Sequence, residues 1–193
     1  MIRSVIHFAV LGWLVLGCAP QPSERSRVVL DVDSLLNKQS LSLAQHEVSL
    51  HKSASVGGVA SDSTWVPSEN QWKTELRSFG DLAIINKTLY KDVYQAEGPL
   101  EDRRSNLHIQ RYATTQAPLA LLDIYYMDEV SRFRRLEGIF HSVNRLYAAH
   151  RTLTLEFDEV QGKPMLTHYR ISGYQKLALR DTVQFTIEGV INW

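Results

Sequence analysis

From Leu153 onward, apolar residues recur at every second position, and this period constrains the fold more than any other feature of the chain. Leu153, Leu155 and Phe157 alternate with Thr152, Thr154, Glu156 and Asp158. Met165, Tyr169 and Ile171 keep the same period. Val183, Phe185 and Ile187 alternate with Thr182, Gln184, Thr186 and Glu188, and Ile191 lies further along that face. Strand side chains point alternately to opposite faces, so each run makes one apolar and one wet face. Upstream, Leu107 alternates with Ile109, and Leu119, Leu121, Ile124, Tyr125 and Tyr126 form an apolar segment of strand length. Residues 132–147 read as a strand broken at Gly138, with a short helix as the competing reading. Gln161-Gly162-Lys163-Pro164 and Arg180-Asp181 supply turns. Parallel strands need crossovers of about a dozen residues or more, so about six or seven strands joined this tightly form an antiparallel meander.

The N-terminal part has a helical period instead. Leu36, Leu43 and Leu50 recur every seven residues, with Val32 and Ala54 four away at either end. This predicts a first helix from a cap at Asp31 or Asp33 to about Ala54. The Val56-Gly57-Gly58-Val59-Ala60-Ser61-Asp62-Ser63 stretch reads as a flexible break. Ser68 and Gln71 have capping-box spacing. Trp72, Leu76, Phe79 and Ala83 follow on one face and predict a second helix over 69–85. The expected class is α+β, with two N-terminal helices packed on the apolar face of a curved antiparallel sheet.

The N-terminus carries a different kind of signal. Arg3 precedes a run from Val5 to Leu16 that is apolar apart from His7, and a Pro- and Gln-rich polar tract begins just beyond it. The run suits a secretory signal, which needs roughly 7–15 apolar residues, and is too short for a spanning helix of about 20. Cys18 is the single cysteine of the chain. The sequence Val15-Leu16-Gly17-Cys18 resembles the lipobox of bacterial envelope lipoproteins. That resemblance implies cleavage between Gly17 and Cys18, a diacylglyceryl group on the sulfur and an acylated new amino terminus. Residues 1–17 are then the signal peptide, 18–30 a lipidated tether and 31–193 a single domain. Ala19, in place of the aspartate that retains such proteins at the inner membrane, implies outer-membrane delivery, with the domain facing the periplasm. Two or three acyl chains make the membrane attachment effectively permanent, whereas one holds weakly.

Lysine plus arginine balance aspartate plus glutamate at 21 each. A neutral chain lacks the basic footprint that nucleic acid requires. The histidines show no metal-ligand spacing: His46 and His51 are five apart, and His108, His141, His150 and His168 fall on separate predicted strands. No metal and no cofactor is expected. There is no Gly-x-Ser-x-Gly elbow, and Ser172-Gly173 reads as a strand bulge. The cluster Arg132, Arg134 and Arg135, flanked by Glu129 and Glu137, is the candidate contact surface for a lipid headgroup or an acidic partner. Its plainer reading is a wetted strand face edged by ion pairs.

These observations point to a non-enzymatic, lipid-anchored envelope component that binds an envelope protein or a polymer. An alternative is a half-barrel-like carrier of an acyl chain, lined by Tyr125, Tyr126, Phe140, Phe157, Tyr169 and Phe185. A hydrolase ranks below both. It requires two or more of His108, His141, His150 and His168 to meet a carboxylate in one cleft.

Overall fold

The computed structural model describes residues 29–90, 92–160 and 162–193. In chain order the elements are α1 (Val32–Gln45), β1 (Ser49–Val56), β2 (Val59–Trp65), α2 (Glu69–Leu76), β3 (Gln95–Glu101), β4 (His108–Ala113), β5 (Leu119–Tyr126), β6 (Phe133–Val143), β7 (Tyr147–Val160), β8 (Lys163–Leu177) and β9 (Val183–Asn192). The class is α+β. Among the described residues nine strands, rather than six or seven, form one sheet in the order β2-β1-β9-β8-β7-β6-β5-β4-β3. Strands β3 to β9 are a simple antiparallel meander, and β1 pairs with the outer edge of β9.

The helices do not both precede the strands. The first stops at Gln45, and its expected second half is β1, which leads into the β1–β2 hairpin. Glu47, with φ of 50°, breaks the helical path. Leu50 lay on the expected helical stripe and is fully buried, but from a strand. Gly57 and Gly58, with φ of 57° and 88°, make a two-residue hairpin turn between Val56 and Val59. Positive φ at both central positions matches strand twist, and glycine adopts it without steric cost. This is a tight turn, not a flexible break.

The second helix begins where expected. The Ser68 backbone N–H donates to Gln71 Oε1 at 2.8 Å. After Leu76 the helix tightens into a 3₁₀ segment, Arg77–Asn86. Trp72, Leu76, Phe79 and Leu82 from this arm meet Leu119, Leu122, Leu136, Leu153, Leu155 and Tyr169 of the sheet, each no more than 1 % exposed. Gly138 does not break β6. A Cβ there would lie 2.2 Å from Leu82 Cδ2, so the glycine lets the 3₁₀ segment approach the sheet. Gly173 is likewise no bulge: it pairs in register with Arg151, and a Cβ would lie 2.0 Å from the His150 carbonyl oxygen.

Two ends of the sheet follow from the strand directions. At the base, α1 crosses the β7–β8 turn. The Gln39 side chain donates to the Pro164 carbonyl at 2.8 Å and accepts from the Leu166 N–H at 2.9 Å. The described chain starts here too, since Leu30 lies in one groove with Phe133 and Lys163. At the opposite end, the turns of β1–β2, β6–β7 and β8–β9 stand side by side.

Candidate functional site

Helices cover one face of the sheet, and period-two alternation sends most charged residues of β4 to β9 to the other; Arg151, paired with Asp81 of the 3₁₀ segment, stays on the covered side. There, register sets His168 beside Glu156. Its Nδ1 lies 3.3 Å from Glu156 Oε2, and its Nε2 lies 2.7 Å from Glu188 Oε1. Arg170 donates to the second Glu188 oxygen at 2.8 Å. The hydrogen bond to Glu156 leads the causes that push the His168 pKa up, and burial opposes it. Glu156 is held below its ordinary value, first by that same bond. Burial works against ionisation of Glu188, yet His168 and Arg170 bring it below its ordinary value. An imidazole held charged between two carboxylates is a structural clamp and a poor general base.

The same face holds a buried fork. Arg111 Nε and Nη2 donate to Asp123 Oδ1 and Oδ2 at 2.8 and 2.6 Å, and Asp123 is 1 % exposed. The bond to Asp123 raises the Arg111 pKa against the opposing effect of burial. Beside it, the Arg135 guanidinium lies 3.7 Å over the Tyr125 ring and 3.5 Å from Asp102. Glu137, cross-strand from Asp123, has its pKa raised, chiefly by burial.

The remaining histidines fall in other places. His108 packs near Tyr126, with ring centroids 5.8 Å apart. His141 and His150 face each other across β6 and β7, with Nδ1 atoms 3.4 Å apart, and Tyr174 stacks on His150. Burial and then His141 lower the His150 pKa. Among the described residues, no group of three or more His, Cys, Asp or Glu is arranged to hold a metal ion.

Alternation also splits the arginine cluster. Arg132 and Arg134 share Glu159, at 3.1 and 2.9 Å, and Arg132 lies 3.9 Å from Asp128. Arg135 belongs to the opposite face. Glu129 and Glu137 flank these arginines in sequence but form none of these ion pairs. Gly17 and Cys18 lie outside the described residues, and among those described no helix is long and apolar enough to cross a membrane. Of the aromatic residues considered for a carrier cavity, Phe140, Phe157 and Tyr169 are part of the helix–sheet core.

Two surfaces were not anticipated. The first is the hairpin-tip end. Eight of the fifteen exposed large apolar residues lie there among the described residues: Val56, Val59, Val143, Leu146, Tyr174, Leu177, Leu179 and Val183. Backbone bonds tie the tips together, from Gly57 N–H to the Gln184 carbonyl and from Ala178 N–H to the Leu146 carbonyl, both 2.9 Å. The signal for this surface was present as Val at strand ends and Leu146 and Leu179 inside turns, where polar residues are the rule. The second is a groove of about 740 Å³ along α1, lined on its apolar side by Leu30, Leu35, Leu41, Phe133, Pro164 and Met165. Comparison with known proteins finds no matching family, no matching curated protein and no matching solved structure.

Proposed function

We propose that this chain is a lipid-anchored, non-enzymatic binding component of a bacterial envelope. Cys18 tethers it to the periplasmic leaflet of the outer membrane, and the hairpin-tip end of its sheet meets the partner. The lipobox-like residues Val15-Leu16-Gly17-Cys18 support the anchor. One observation carries the contact surface: the charges of the uncovered face are engaged with one another, whereas apolar side chains crowd into solvent at the tips. Contiguous exposed apolar groups of this kind mark interaction sites. Arg132, Arg134 and Arg135, already held by Glu159, Asp128 and Asp102, rank below the tips as a contact surface.

The test is photo-crosslinking in cells from a reactive amino acid at Leu179, with exposed Leu89 on the 3₁₀ turn Thr88–Tyr90 as the control. Adducts from position 179 that are absent from position 89 support the reading, and equal labelling from both removes it. Mass spectrometry of Cys18 tests the anchor separately, because an unmodified thiol there rules it out.

A second reading, a carrier of an acyl chain, is favoured by the groove along α1, whose volume falls in the usual range of ligand pockets, roughly 300–1,000 Å³. Organic extraction of the purified protein tests it. A stoichiometric apolar ligand, lost when Leu35 and Met165 are changed to Glu, supports a carrier, and extracts without one argue against it.

A further inference from the structure

We infer that the partner met by the hairpin-tip end is an anionic lipid surface, into which the three adjacent turns dip their aliphatic side chains. The inference rests on the reading of the tips as the contact face and adds the chemistry of what they touch.

The first argument is the kind of apolar residue displayed. Leu179 is 97 % exposed, Val143 79 %, Val59 76 % and Leu146 71 %. They lie at or beside three adjacent turns, Val143 and Leu146 sharing the β6–β7 turn, so the four form a rim rather than a pocket. Protein–protein hot spots favour Trp, Tyr and Arg seated in desolvated pockets, and they under-use Leu and Val. Aliphatic residues at the ends of ordered turns suit a medium without shape, such as the headgroup and acyl boundary of a bilayer. The turns hold their geometry: the Asn144 N–H donates to the Tyr147 carbonyl at 2.8 Å, and the Arg180 N–H to the Leu177 carbonyl at 3.1 Å.

The second argument is charge. Arg145, Lys176 and Arg180 are exposed at or just behind the tips, with Asp181 as the acid among them. Among the described residues, none of these three bases joins an ion pair. The chain as a whole has a formal net charge of zero, so this end carries a local positive excess. Unpaired bases around an aliphatic rim are complementary to anionic headgroups lying above acyl chains.

Position also separates this contact from the anchor. The tips lie at the end of the sheet opposite the base where the described chain starts. On this reading the lipid on Cys18 holds the chain at the membrane, and the tips add a second contact whose partner the anchor keeps at high local concentration.

Because Cys18 is the single cysteine and the lipid consumes its thiol, Leu179→Cys gives one labelling site on the full lipidated chain. The chain, carrying a nitrobenzoxadiazole dye there, is reconstituted into vesicles of phosphatidylcholine alone or mixed with phosphatidylglycerol. The expected result is a blue-shifted, brighter emission with phosphatidylglycerol, weaker with phosphatidylcholine and absent from the same dye at Leu89→Cys. Arg145→Gln, Lys176→Gln and Arg180→Gln each weaken the anionic partitioning roughly five-fold, and added salt does the same. These substitutions touch exposed turn residues, so circular dichroism is expected to match the parent.

A dye at position 179 that reports water in both vesicle types overturns the lipid inference. If crosslinks from that position then recover a protein, the contact face stands and its partner is proteinaceous. If they recover nothing, both readings fall.

Discussion

On one face of β7 and β8, Leu153, Leu155, Tyr169 and Ile171 are buried beneath Trp72, Leu76 and Phe79. On the other face of the same strands, Thr154, Glu156, His168 and Arg170 stand without a helix above them. Both sets come from one alternating sequence, yet they hold the molecule together differently. The covered face excludes water and gains about 25 cal/mol for each Å² of apolar surface buried. The uncovered face gains little from any single exposed ion pair, and its worth lies in geometry, because each charge restricts its neighbours. The comparison teaches where function has room. The buried face tolerates little change, and the paired charges leave few groups free. The tips belong to neither arrangement.

The comparison breaks hardest at its apolar side. Trp72→Ala is expected to cost about 4 kcal/mol through the cavity left between helix and sheet. In urea unfolding this reads as a lower midpoint at an unchanged slope. Next comes the charge pair buried on the uncovered face. Arg111→Met strands the Asp123 carboxylate and is expected to cost about 3 kcal/mol, of which Arg111→Met with Asp123→Leu regains most. The urea midpoints of the single and double variants check this, and a double variant no better than the single would show that the pair is worth more than its geometry.

The His168 clamp gives a smaller, pH-dependent effect. Its folded pKa is raised above 6.5, so its contribution is complete below that value and fades as pH rises through the folded pKa. Glu156 and Glu188 are lowered below 4.5, so theirs is complete above that value and fades as pH falls through the folded pKa. The clamp is therefore strongest between pH 4.5 and 6.5. Unfolding midpoints measured across pH are expected to decline on the alkaline side, and His168→Gln removes that decline.

The smallest effect belongs to the tips. Leu179→Ser is expected to move stability by no more than about 0.5 kcal/mol. Thermal unfolding checks this, and a larger loss would show that the tip packs against something within the chain.

The long strands were legible because their apolar residues are spaced by two, and α2 because Ser68, Gln71 and Trp72 mark its first turn. The first strand was not legible. Ser49-Leu50-His51-Lys52-Ser53-Ala54-Ser55 carries almost no apolar alternation, and the chain extends there because β2 and β9 bond it from both sides. Leu36, Leu43 and Leu50 shared a helical spacing by coincidence, and all that spacing retained was the burial of Leu50. Gly138 read as a break because a lone letter does not reveal that Leu82, far away in sequence, needs its space.

The candidate contact residues divide in the same way. Arg134 and Arg135 are adjacent letters that any strand sends to opposite faces, and the partners Glu159 and Asp102 come from elsewhere in the chain. The tips escaped notice because Val56, Val143 and Leu179 are far apart in sequence and look like isolated apolar turn residues.

Local order alone settled the alternation, the cap of α2 and the antiparallel hand-over between successive strands, since each rests on residues a few positions apart. Tertiary structure decided the place of β1, the fork between Arg111 and Asp123, the clamp around His168 and the gathering of three turns at one end. The place of β1 and the gathered turns depend on which strands lie side by side, and the fork and the clamp on the register between neighbouring strands, which backbone hydrogen bonds set.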